Sequence, residues 1–351
     1  MALIRGMSRS SQGLLIATLM LLGLGALPFL QTPPQPDPAG YRPPAFDLQA
    51  HRGYRGRYPE NTLPAIEAAL AAGVTTLELD LQLTADGYLV VHHDPRLSTE
   101  RTRARDGAWL DAPGPPIREM TLKDLQSYDV GSARPESRTA QRFPEQAGLE
   151  SVRVPTLDET VDLAERLSGG EILYNLETKI APGDPASADP AKMVRALLAL
   201  LERKGIGQRT TIQSFDWRSL ELVEESEADI PTVYLTAERS WLNNVQRGRP
   251  GASPWTAGLD IDAFDGSVPR AIVQAGGAVW SPYYRDLRPA ELHEAHRLGL
   301  RVVVWTVNDP ADMASLIELG VDGIITDYPG RLRRVLEDED KPLPPRYPAT
   351  D

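Results

Sequence analysis

The chain has 351 residues, of which 41% are hydrophobic, so it is long enough for one large domain or two ordinary ones with a buried core. Its formal net charge of −12 argues against a surface for nucleic acid or anionic lipid, because such partners bind clustered Lys and Arg. The sequence contains no cysteine, which excludes disulfides, thiolate metal sites and a cysteine nucleophile.

The first predicted element is an uninterrupted apolar run over residues 14–30, which follows Arg5 and Arg9. Such a run after basic residues is typical of a signal sequence or a single membrane anchor, and residues 1–30 are predicted to be one of the two. No clean small-x-small cleavage site follows the run, so both alternatives stay open. Either one places the rest of the chain outside the cytoplasm, as a periplasmic or secreted protein that is released or attached to the membrane by this run.

Residues 31–46 are rich in proline and form a predicted extended linker, because proline disrupts the interior of helices and sheets. The predicted folded domain covers residues 47–337, and residues 338–351 are predicted to be a disordered tail. Within the domain, strand-like apolar runs alternate with amphipathic helical ones. The nine strand candidates are DLQAH, TLELDLQL, YLVVHHD, ILYNLETK, TTIQSF, TVYLT, GAVWSPYY, RVVVWTVN and DGIITD.

Alternating β and α segments predict a parallel sheet, either an open doubly wound sheet or a closed (β/α)8 TIM barrel. The barrel is favoured because no glycine-rich nucleotide loop follows an early strand. It is also favoured because polar residues gather at the carboxyl ends of many strands, and these ends meet on one face of a barrel. Nine candidates for eight places predict that at least one strand lies outside the ring. The polar positions are His51, Arg52, Glu78, Asp80, His93, Glu177, Lys179, Gln213, Trp305, Asn308 and Asp327.

Residues 100–155 interrupt the alternation, with little apolar periodicity apart from a short helical MTLKDLQSY. A segment of this length is predicted to be an inserted lid or wall over the site, with a mobile surface insertion as the alternative. The predicted fold is therefore a TIM barrel with an inserted region at about 100–155 and an N-terminal membrane or signal helix.

The stretch LELDLQLTADGYLVVHHD predicts a β-hairpin that carries acidic and imidazole side chains. Strand alternation places Glu78 and Asp80 on one face and the leucines on the other. The Asp-Gly pair in the middle is a strong hairpin signal. A loop of only these two residues sets Asp80 opposite His93 and turns His92 the other way.

A third carboxylate comes from YNLETK, where alternation places Glu177 and Lys179 on the same face. Three carboxylates without thiols suit a hard divalent cation, Ca²⁺ or Mg²⁺, better than zinc. His51 and His93 suit a proton-transfer pair, since imidazole ordinarily titrates near neutral pH. Arg52 and Lys179 suit an anion, and a guanidinium matches two phosphate oxygens at once. Together these groups predict a site that cleaves a phosphoester.

The run AHRGYRGRYPENT, followed in order by LELDLQLTADGYLVVHHDPRLSTERT, NLETK, WTVN and GVDGIITDYP, resembles the glycerophosphodiester phosphodiesterase family of phospholipase-C-like barrels. The resemblance covers residues 47–337. It implies a TIM barrel that hydrolyses glycerophosphodiesters to an alcohol and glycerol 3-phosphate. It also implies His51 and His93 as the catalytic acid and base, Glu78, Asp80 and Glu177 as metal ligands, Arg52 and Lys179 as phosphate contacts, Trp305 as an aromatic near the substrate, and Glu60 and Asn61 of the PENT motif as supporting residues.

Two other functions stay open. The first is a lysophospholipid or sphingolipid headgroup phosphodiesterase on the same barrel, which the anchor and the insertion make plausible. The second is a non-catalytic module that binds phosphorylated ligands or holds an envelope assembly together, and it is disfavoured because none of the chemical groups of the site is missing. The expected partner is a small glycerophosphodiester and not nucleic acid. The sequence leaves open which histidine is the acid, and whether water or the substrate's own glycerol hydroxyl attacks the phosphorus.

Overall fold

The computed structural model describes residues 40–226 and 228–348 of the chain. The predicted signal or anchor segment lies outside these ranges, and so does the first part of the predicted linker. Among the helices of the described ranges, none is both long enough and apolar enough to cross a membrane.

Eight parallel strands close into a barrel, which confirms the predicted ring. Strand β1 (Asp47–His51) pairs with β2 (Thr76–Leu83) on one side and with β9 (Gly323–Thr326) on the other, and these two pairings close the sheet. Strand β3 (Leu89–Val91) pairs antiparallel with β2 and is the ninth strand, which stays outside the ring. The other strands of the ring are β4 (Leu173–Thr178), β5 (Thr210–Ser214), β6 (Thr232–Thr236), β7 (Val279–Pro282) and β8 (Arg301–Val304).

Helices alternate with the strands around the ring, and two short ones lie between β3 and α4. They are α1 (Leu63–Ala72), α2 (Leu122–Leu125), α3 (Arg138–Arg142), α4 (Leu157–Ser168), α5 (Pro190–Lys204), α6 (Trp217–Glu224), α7 (Val268–Gln274), α8 (Pro289–Arg297), α9 (Pro310–Leu319) and α10 (Pro329–Asp338). Polar side chains cap the starts of all these helices except α8 and α10. The Thr62 side chain accepts a backbone hydrogen bond at the start of α1, and Thr156 and Glu159 form a reciprocal capping box at the start of α4.

Strand β2 shows the predicted alternation of leucines and carboxylates. Leu77, Leu79 and Leu81 are fully buried in the main core, and Glu78 and Asp80 are equally buried on the inner face of the ring. Inside the ring, a hydrogen-bonded polar network on β1, β2, β4 and β5 is complemented by an apolar cluster on β6 to β9. The network contains Gln49, Glu78, Asn175 and Gln213, and the cluster contains Val233, Val279, Val303 and Ile325. The polar half therefore holds its side chains by hydrogen bonds, as buried polar groups require.

The predicted register of the β2–β3 hairpin is wrong by one residue. Leu81 pairs with Val91, so the position opposite Asp80 belongs to His92 and not to His93. The His92 amide accordingly donates to the Asp80 carbonyl over 2.9 Å. The antiparallel pairing itself is confirmed.

The cause of the shifted register is the type of turn. The Gly87 amide donates to the Thr84 carbonyl over 3.1 Å, and Thr84 then pairs with Tyr88. Gly87 has a φ of 87°, the left-handed conformation that closes a three-residue hairpin loop with a bulge. Because β3 ends at Val91, strand alternation does not extend to His93, whose side chain lines the cavity at the end of the barrel.

Residues 100–155 contribute side chains to that cavity. Several of their side chains pack with β3 and the residues after it in a separate apolar cluster. The buried members of this cluster are Val90, Leu97, Ile117, Met120, Leu125 and Val154. Arg101, Thr139 and Arg142 from this region line the cavity. At these three positions the region contributes to the wall of the cavity, and its predicted role as a lid or wall stays a prediction.

The predicted disordered tail lies against the barrel as far as the structure describes it, which corrects that prediction for residues 338–348. The Tyr347 amide donates to the Leu70 carbonyl at the end of α1 over 2.9 Å. The Arg333 guanidinium of α10 donates to the Pro344 carbonyl over 2.7 Å. The partners of the tail thus lie on α1 and α10, and local composition cannot indicate them.

Gly53, directly after β1, occupies a turn in which a side chain does not fit. Its φ is 77°, and a Cβ would come within 2.8 Å of the Ala65 backbone. We expect Gly53→Ala to lower the free energy of unfolding by roughly 3 kcal/mol, because conformational strain and steric overlap add. Gly87→Ala is the matched control, with a φ of 87° and no atom within 4 Å, and it should cost about 1 kcal/mol. Urea denaturation measures both, and equal losses would show that the overlap has no effect.

Candidate active site

Three buried carboxylates meet at the carboxyl ends of two neighbouring strands. Glu78 and Asp80 come from β2, and Glu177 on β4 lies beside Asp80 in the parallel register. One oxygen of each carboxylate lies within 4.8 Å of the others, and within the described part of the chain this is the group of side chains that could hold a metal ion. The structure thus brings the three predicted ligands together. We call them the acidic triad.

Hydrogen-bond donors around the acidic triad orient its oxygens. Gln213 Nε2 donates to Glu78 Oε1 over 2.7 Å, and Asn61 Nδ2 donates to Asp80 Oδ2 over 2.8 Å. Asp80 Oδ1, in contrast, is buried and accepts no hydrogen bond from the described residues. Oxygen ligands held in place by outer donors are the environment that Ca²⁺ and Mg²⁺ prefer. The residues present therefore fit a hard divalent cation.

Burial and the closeness of the three carboxylates shift their pKa values. Burial, followed by the charges of Asp80 and Glu177, raises the pKa of Glu78 well above its usual range. Burial also raises the pKa of Glu177 to about 7, although the Lys179 cation opposes this effect. Burial alone would raise the pKa of Asp80, but Arg52 holds it below its ordinary value. A divalent cation at this position would offset the repulsion among the three carboxylates.

Two histidines beside the triad each pair with a carboxylate. His51 Nδ1 lies 2.6 Å from Asp327 Oδ1, and His93 Nδ1 lies 2.7 Å from Asp94 Oδ1. An Nδ1–H that donates to a carboxylate fixes the tautomer and leaves Nε2 free to accept a proton. Arg52 Nε donates to His51 Nε2 over 3.3 Å, in agreement with this tautomer. Burial lowers the pKa of both imidazoles, to about 3 for His93.

The two cations predicted to contact phosphate border the acidic triad. Arg52 Nε lies 3.0 Å from Asp80 Oδ2, and the Arg52 amide donates to Glu78 Oε2 over 2.9 Å. Lys179 Nζ lies 2.7 Å from Glu177 Oε1 and 3.7 Å from Asp80 Oδ1. Both cations line the cavity, so an anion bound against the triad would lie next to both.

Glu60 of the PENT motif lies among three guanidinium groups. Its carboxylate is 2.9 Å from Arg52 Nη1 and 2.6 Å from Arg55 Nε, and it also contacts Arg101 Nη1. Arg101 contacts Asp94 as well, so Glu60 is linked to the carboxylate that holds the second histidine. Glu60 therefore holds Arg52, Arg55 and Arg101 next to one another, and its predicted supporting role stays a prediction.

The sequence did not assign roles to Asp94, Asp327, Arg55 or Arg101. Asp327 is a polar position at the end of β9, but its partner His51 is 276 residues away, and the pair exists only because β1 closes against β9. Asp94 ends the HHD run, so its place next to His93 could have indicated a pairing. Arg101 lies in the insertion, where no periodic pattern identifies it.

The cavity over the triad has a volume of 1290 Å³ and two unlike halves. The charged groups described above line one half, and aromatic side chains line the other. The predicted Trp305 lies there, with ring centroids 5.2 Å from Phe215, 5.5 Å from Tyr283 and 6.1 Å from Trp241. Trp241 comes from the long loop between β6 and α7 and is 59% exposed. We call these four residues the aromatic wall.

A closed (β/α)8 barrel with carboxylates, histidines and basic side chains clustered at its carboxyl-terminal face is typical of barrel enzymes that act on phosphate esters. Residues 51–331 match the model of the Glycerophosphoryl diester phosphodiesterase family. The chain belongs to this family and is a phosphoric diester hydrolase.

Individual relatives agree with this assignment. The chain is 31% identical over 324 residues to a glycerophosphodiester phosphodiesterase of Bacillus subtilis strain 168, with 91% of this chain and 97% of the relative covered. A provisionally assigned glycerophosphoryl diester phosphodiesterase of Silicibacter pomeroyi DSS-3 superposes with a TM-score of 0.75 at 37% identity, covering 86% of this chain and 96% of the other. A phosphodiesterase of Oleispira antarctica, solved with the product sn-glycerol-3-phosphate, has a TM-score of 0.58 at 22% identity, covers 82% and 96%, and supports the fold alone.

Proposed function

We propose that this protein hydrolyses glycerophosphodiesters to an alcohol and glycerol 3-phosphate. The observation that carries the proposal is the position of two histidine–carboxylate pairs beside the acidic triad, with both imidazoles, Glu78 and Glu177 lining one cavity. Family membership and the Bacillus subtilis relative support the substrate class. The product bound to the Oleispira antarctica enzyme is the one expected here.

In this proposal Glu78, Asp80 and Glu177 hold a divalent cation, Ca²⁺ or Mg²⁺. When bound, the cation supplies positive charge next to the phosphoryl oxygens. Arg52 and Lys179 bind the non-bridging oxygens from the same wall and stabilise the negative charge that develops on them. Their ion pairs with the triad keep both cations in place before the substrate arrives.

His51 and His93 would move the protons. The Nε2 atom of one ring accepts the proton of the attacking hydroxyl as its oxygen bonds to phosphorus. The other ring, protonated, donates to the alcohol oxygen as the bond between phosphorus and that oxygen breaks. Asp327 and Asp94 orient the two rings and stabilise their protonated forms. Either assignment of the two rings satisfies this geometry.

A second candidate function, cleavage of lysophospholipid or sphingolipid headgroups, is favoured by the aromatic wall. Trp241 is an exposed, mostly apolar ring at a large cavity. An acyl chain bound along the aromatic wall would bury the Trp241 ring, and burial of apolar surface favours binding. The same wall would also contact the carbon atoms of a small alcohol.

Purified protein mixed with glycerophosphocholine, and separately with lysophosphatidylcholine, tests both candidates. We expect glycerol 3-phosphate and choline from the first substrate, detected by phosphorus NMR and a choline assay. If choline is released from lysophosphatidylcholine and not from glycerophosphocholine, the second candidate replaces the proposed function.

We also propose that residues 1–30 place the barrel outside the cytoplasm, either released or anchored. The apolar run after Arg5 and Arg9 motivates this proposal. Alkaline phosphatase fused after residue 46 should be active in a bacterial host, because this reporter folds only after export. A fusion protein that is present at normal levels but has no phosphatase activity would refute the location outside the cytoplasm.

The pairing of Asp327 with His51 predicts a marked loss of turnover in Asp327→Asn. We expect kcat to fall about 10- to 100-fold, because an amide neither fixes the tautomer nor stabilises the imidazolium. Asp322→Asn is the matched control, since Asp322 accepts from His296 over 2.9 Å at a partly exposed position outside the cavity. A kcat of Asp327→Asn equal to that of the control would show that the carboxylate does not support His51.

A further inference from the structure

The insertion and the loop after β1 place two guanidinium groups against one buried ring at the cavity. Arg55 lies 4.7 Å and Arg142 lies 5.3 Å from the ring centroid of Phe143. Phe143 itself is buried, with 3% of its surface exposed. Both arginines line the cavity of the acidic triad. Arg142 belongs to α3, so it is the insertion that brings it there.

The two arginines differ in how their hydrogen-bonding capacity is used. Arg55 Nε lies 2.6 Å from Glu60 Oε2, and Arg55 Nη1 lies 3.6 Å from Asp327 Oδ1. The carboxylate next to Arg142 is Asp327, at 4.0 Å, which is beyond hydrogen-bond distance. That Asp327 oxygen already accepts from Asn308 over 2.7 Å. Among the described residues, none accepts a hydrogen bond from the Arg142 guanidinium, and its side chain is 60% exposed.

The inner neighbours of Arg142 are guanidinium groups that already have carboxylate partners. Arg52, Arg55 and Arg101 all converge on the carboxylate of Glu60, and Arg101 also pairs with Asp94. The chain as a whole carries a net charge of −12, so attraction of an anion to this place would come from the local guanidinium groups and not from the overall charge.

Arg142 lies on the side of the site where Asp327 holds His51. Its neighbour Asp327 also holds His51, so Arg142 lies two contacts away from that imidazole. His93 pairs with Asp94 instead, and the aromatic wall occupies the other half of the cavity. A group bound to Arg142 would therefore belong to the part of the substrate that extends from the phosphorus past His51.

We propose that Arg142, with Arg55 behind it, binds a second anionic group of the substrate. The ligand class is a glycerophosphodiester with its own phosphate or carboxylate on the substituent that passes His51. This inference rests on the proposed function and names a preference within it. A free guanidinium on an aromatic ring is suited to such a group, because it binds two oxygens in one plane.

Two substrates that differ by one phosphate test this subsite, glycerophosphoglycerol and glycerophosphoglycerol phosphate. We expect the wild-type protein to show a higher kcat/KM for the phosphorylated diester. Arg142→Gln should lower that value about tenfold, the typical effect of losing one charge-assisted pair, and leave the kcat/KM of glycerophosphoglycerol within about twofold. Arg138→Gln is the matched control, since Arg138 lies on the same short helix, is exposed and does not line the cavity. It should change neither value.

The results distinguish failure of the proposed subsite from failure of the proposed function. Equal losses on both diesters, or no loss on either, would overturn the subsite, while hydrolysis of glycerophosphoglycerol would still uphold the proposed function. If neither diester is hydrolysed by the wild-type protein, the proposed function fails and the subsite fails with it. An unchanged melting temperature of Arg142→Gln confirms that a selective loss arises from binding and not from unfolding.

Discussion

His93→Ala is expected to lower kcat by roughly 10²- to 10⁴-fold, which is the contribution of general acid–base catalysis in comparable sites. His51→Ala should have a similar effect, since each imidazole is held by its own carboxylate and offers Nε2 to the cavity. The fold should survive both changes, because both side chains lie on the polar half of the cavity and not in the hydrophobic core. Release of glycerol 3-phosphate measures the effect, and circular dichroism confirms the fold.

His92→Ala is the matched control for this prediction. His92 is the neighbour of His93 and sits opposite Asp80 in the ladder, but it does not line the cavity. We expect its replacement to lower kcat less than about tenfold. Equal losses at His92 and His93 would contradict the proposed proton-transfer pair.

Addition of Ca²⁺ or Mg²⁺ is expected to raise the melting temperature of the wild-type protein, and Glu177→Gln should abolish most of that rise. A ligand at about 100 times its Kd stabilises a protein by ~2.7 kcal/mol, which corresponds to about 4 °C for a chain of this size. The reason is that the cation offsets repulsion among three buried carboxylates. Differential scanning calorimetry with and without a chelator measures the shift.

Glu165→Gln provides the matched control for the metal prediction. Glu165 is a carboxylate of α4 that accepts from Tyr174 and Arg209, away from the cavity. Its replacement should lower the melting temperature but keep the rise caused by the cation. A rise that persists in Glu177→Gln would show that the cation binds elsewhere.

The elements that the sequence predicts well are those set by local periodicity. The alternation in β2 put Glu78 and Asp80 on the inner face and the leucines in the core, as observed. The NLETK strand put Glu177 and Lys179 at the same end of the barrel, also as observed. These patterns depend on a period of two along one strand, so no knowledge of distant residues is needed.

The register of the β2–β3 hairpin could not be predicted from the local sequence. The Asp-Gly pair predicts a turn but not its length, and Gly87 closes a loop of three residues in place of two. That one residue moves His92 into the position predicted for His93. His93 nevertheless lines the cavity, because the chain leaves the strand after Val91 and alternation no longer applies.

The remaining parts of the site depend on contacts between distant segments. Asp327 pairs with His51 only through closure of the ring. Arg142 comes from a five-residue helix of the insertion and Trp241 from a long loop, and in neither does periodicity link the side chain to the cavity. Such loops supply the walls of the site, and walls are where family members of one fold can differ in substrate preference.

The most direct test of the account is a phosphorus NMR time course of purified protein with glycerophosphocholine. With Ca²⁺ or Mg²⁺ present, we expect the diester signal to be replaced by that of glycerol 3-phosphate, and a chelator should stop the conversion until excess cation is added. A diester signal that stays constant with either cation would contradict the proposed activity, and conversion at full rate in the presence of the chelator would contradict the role of the acidic triad.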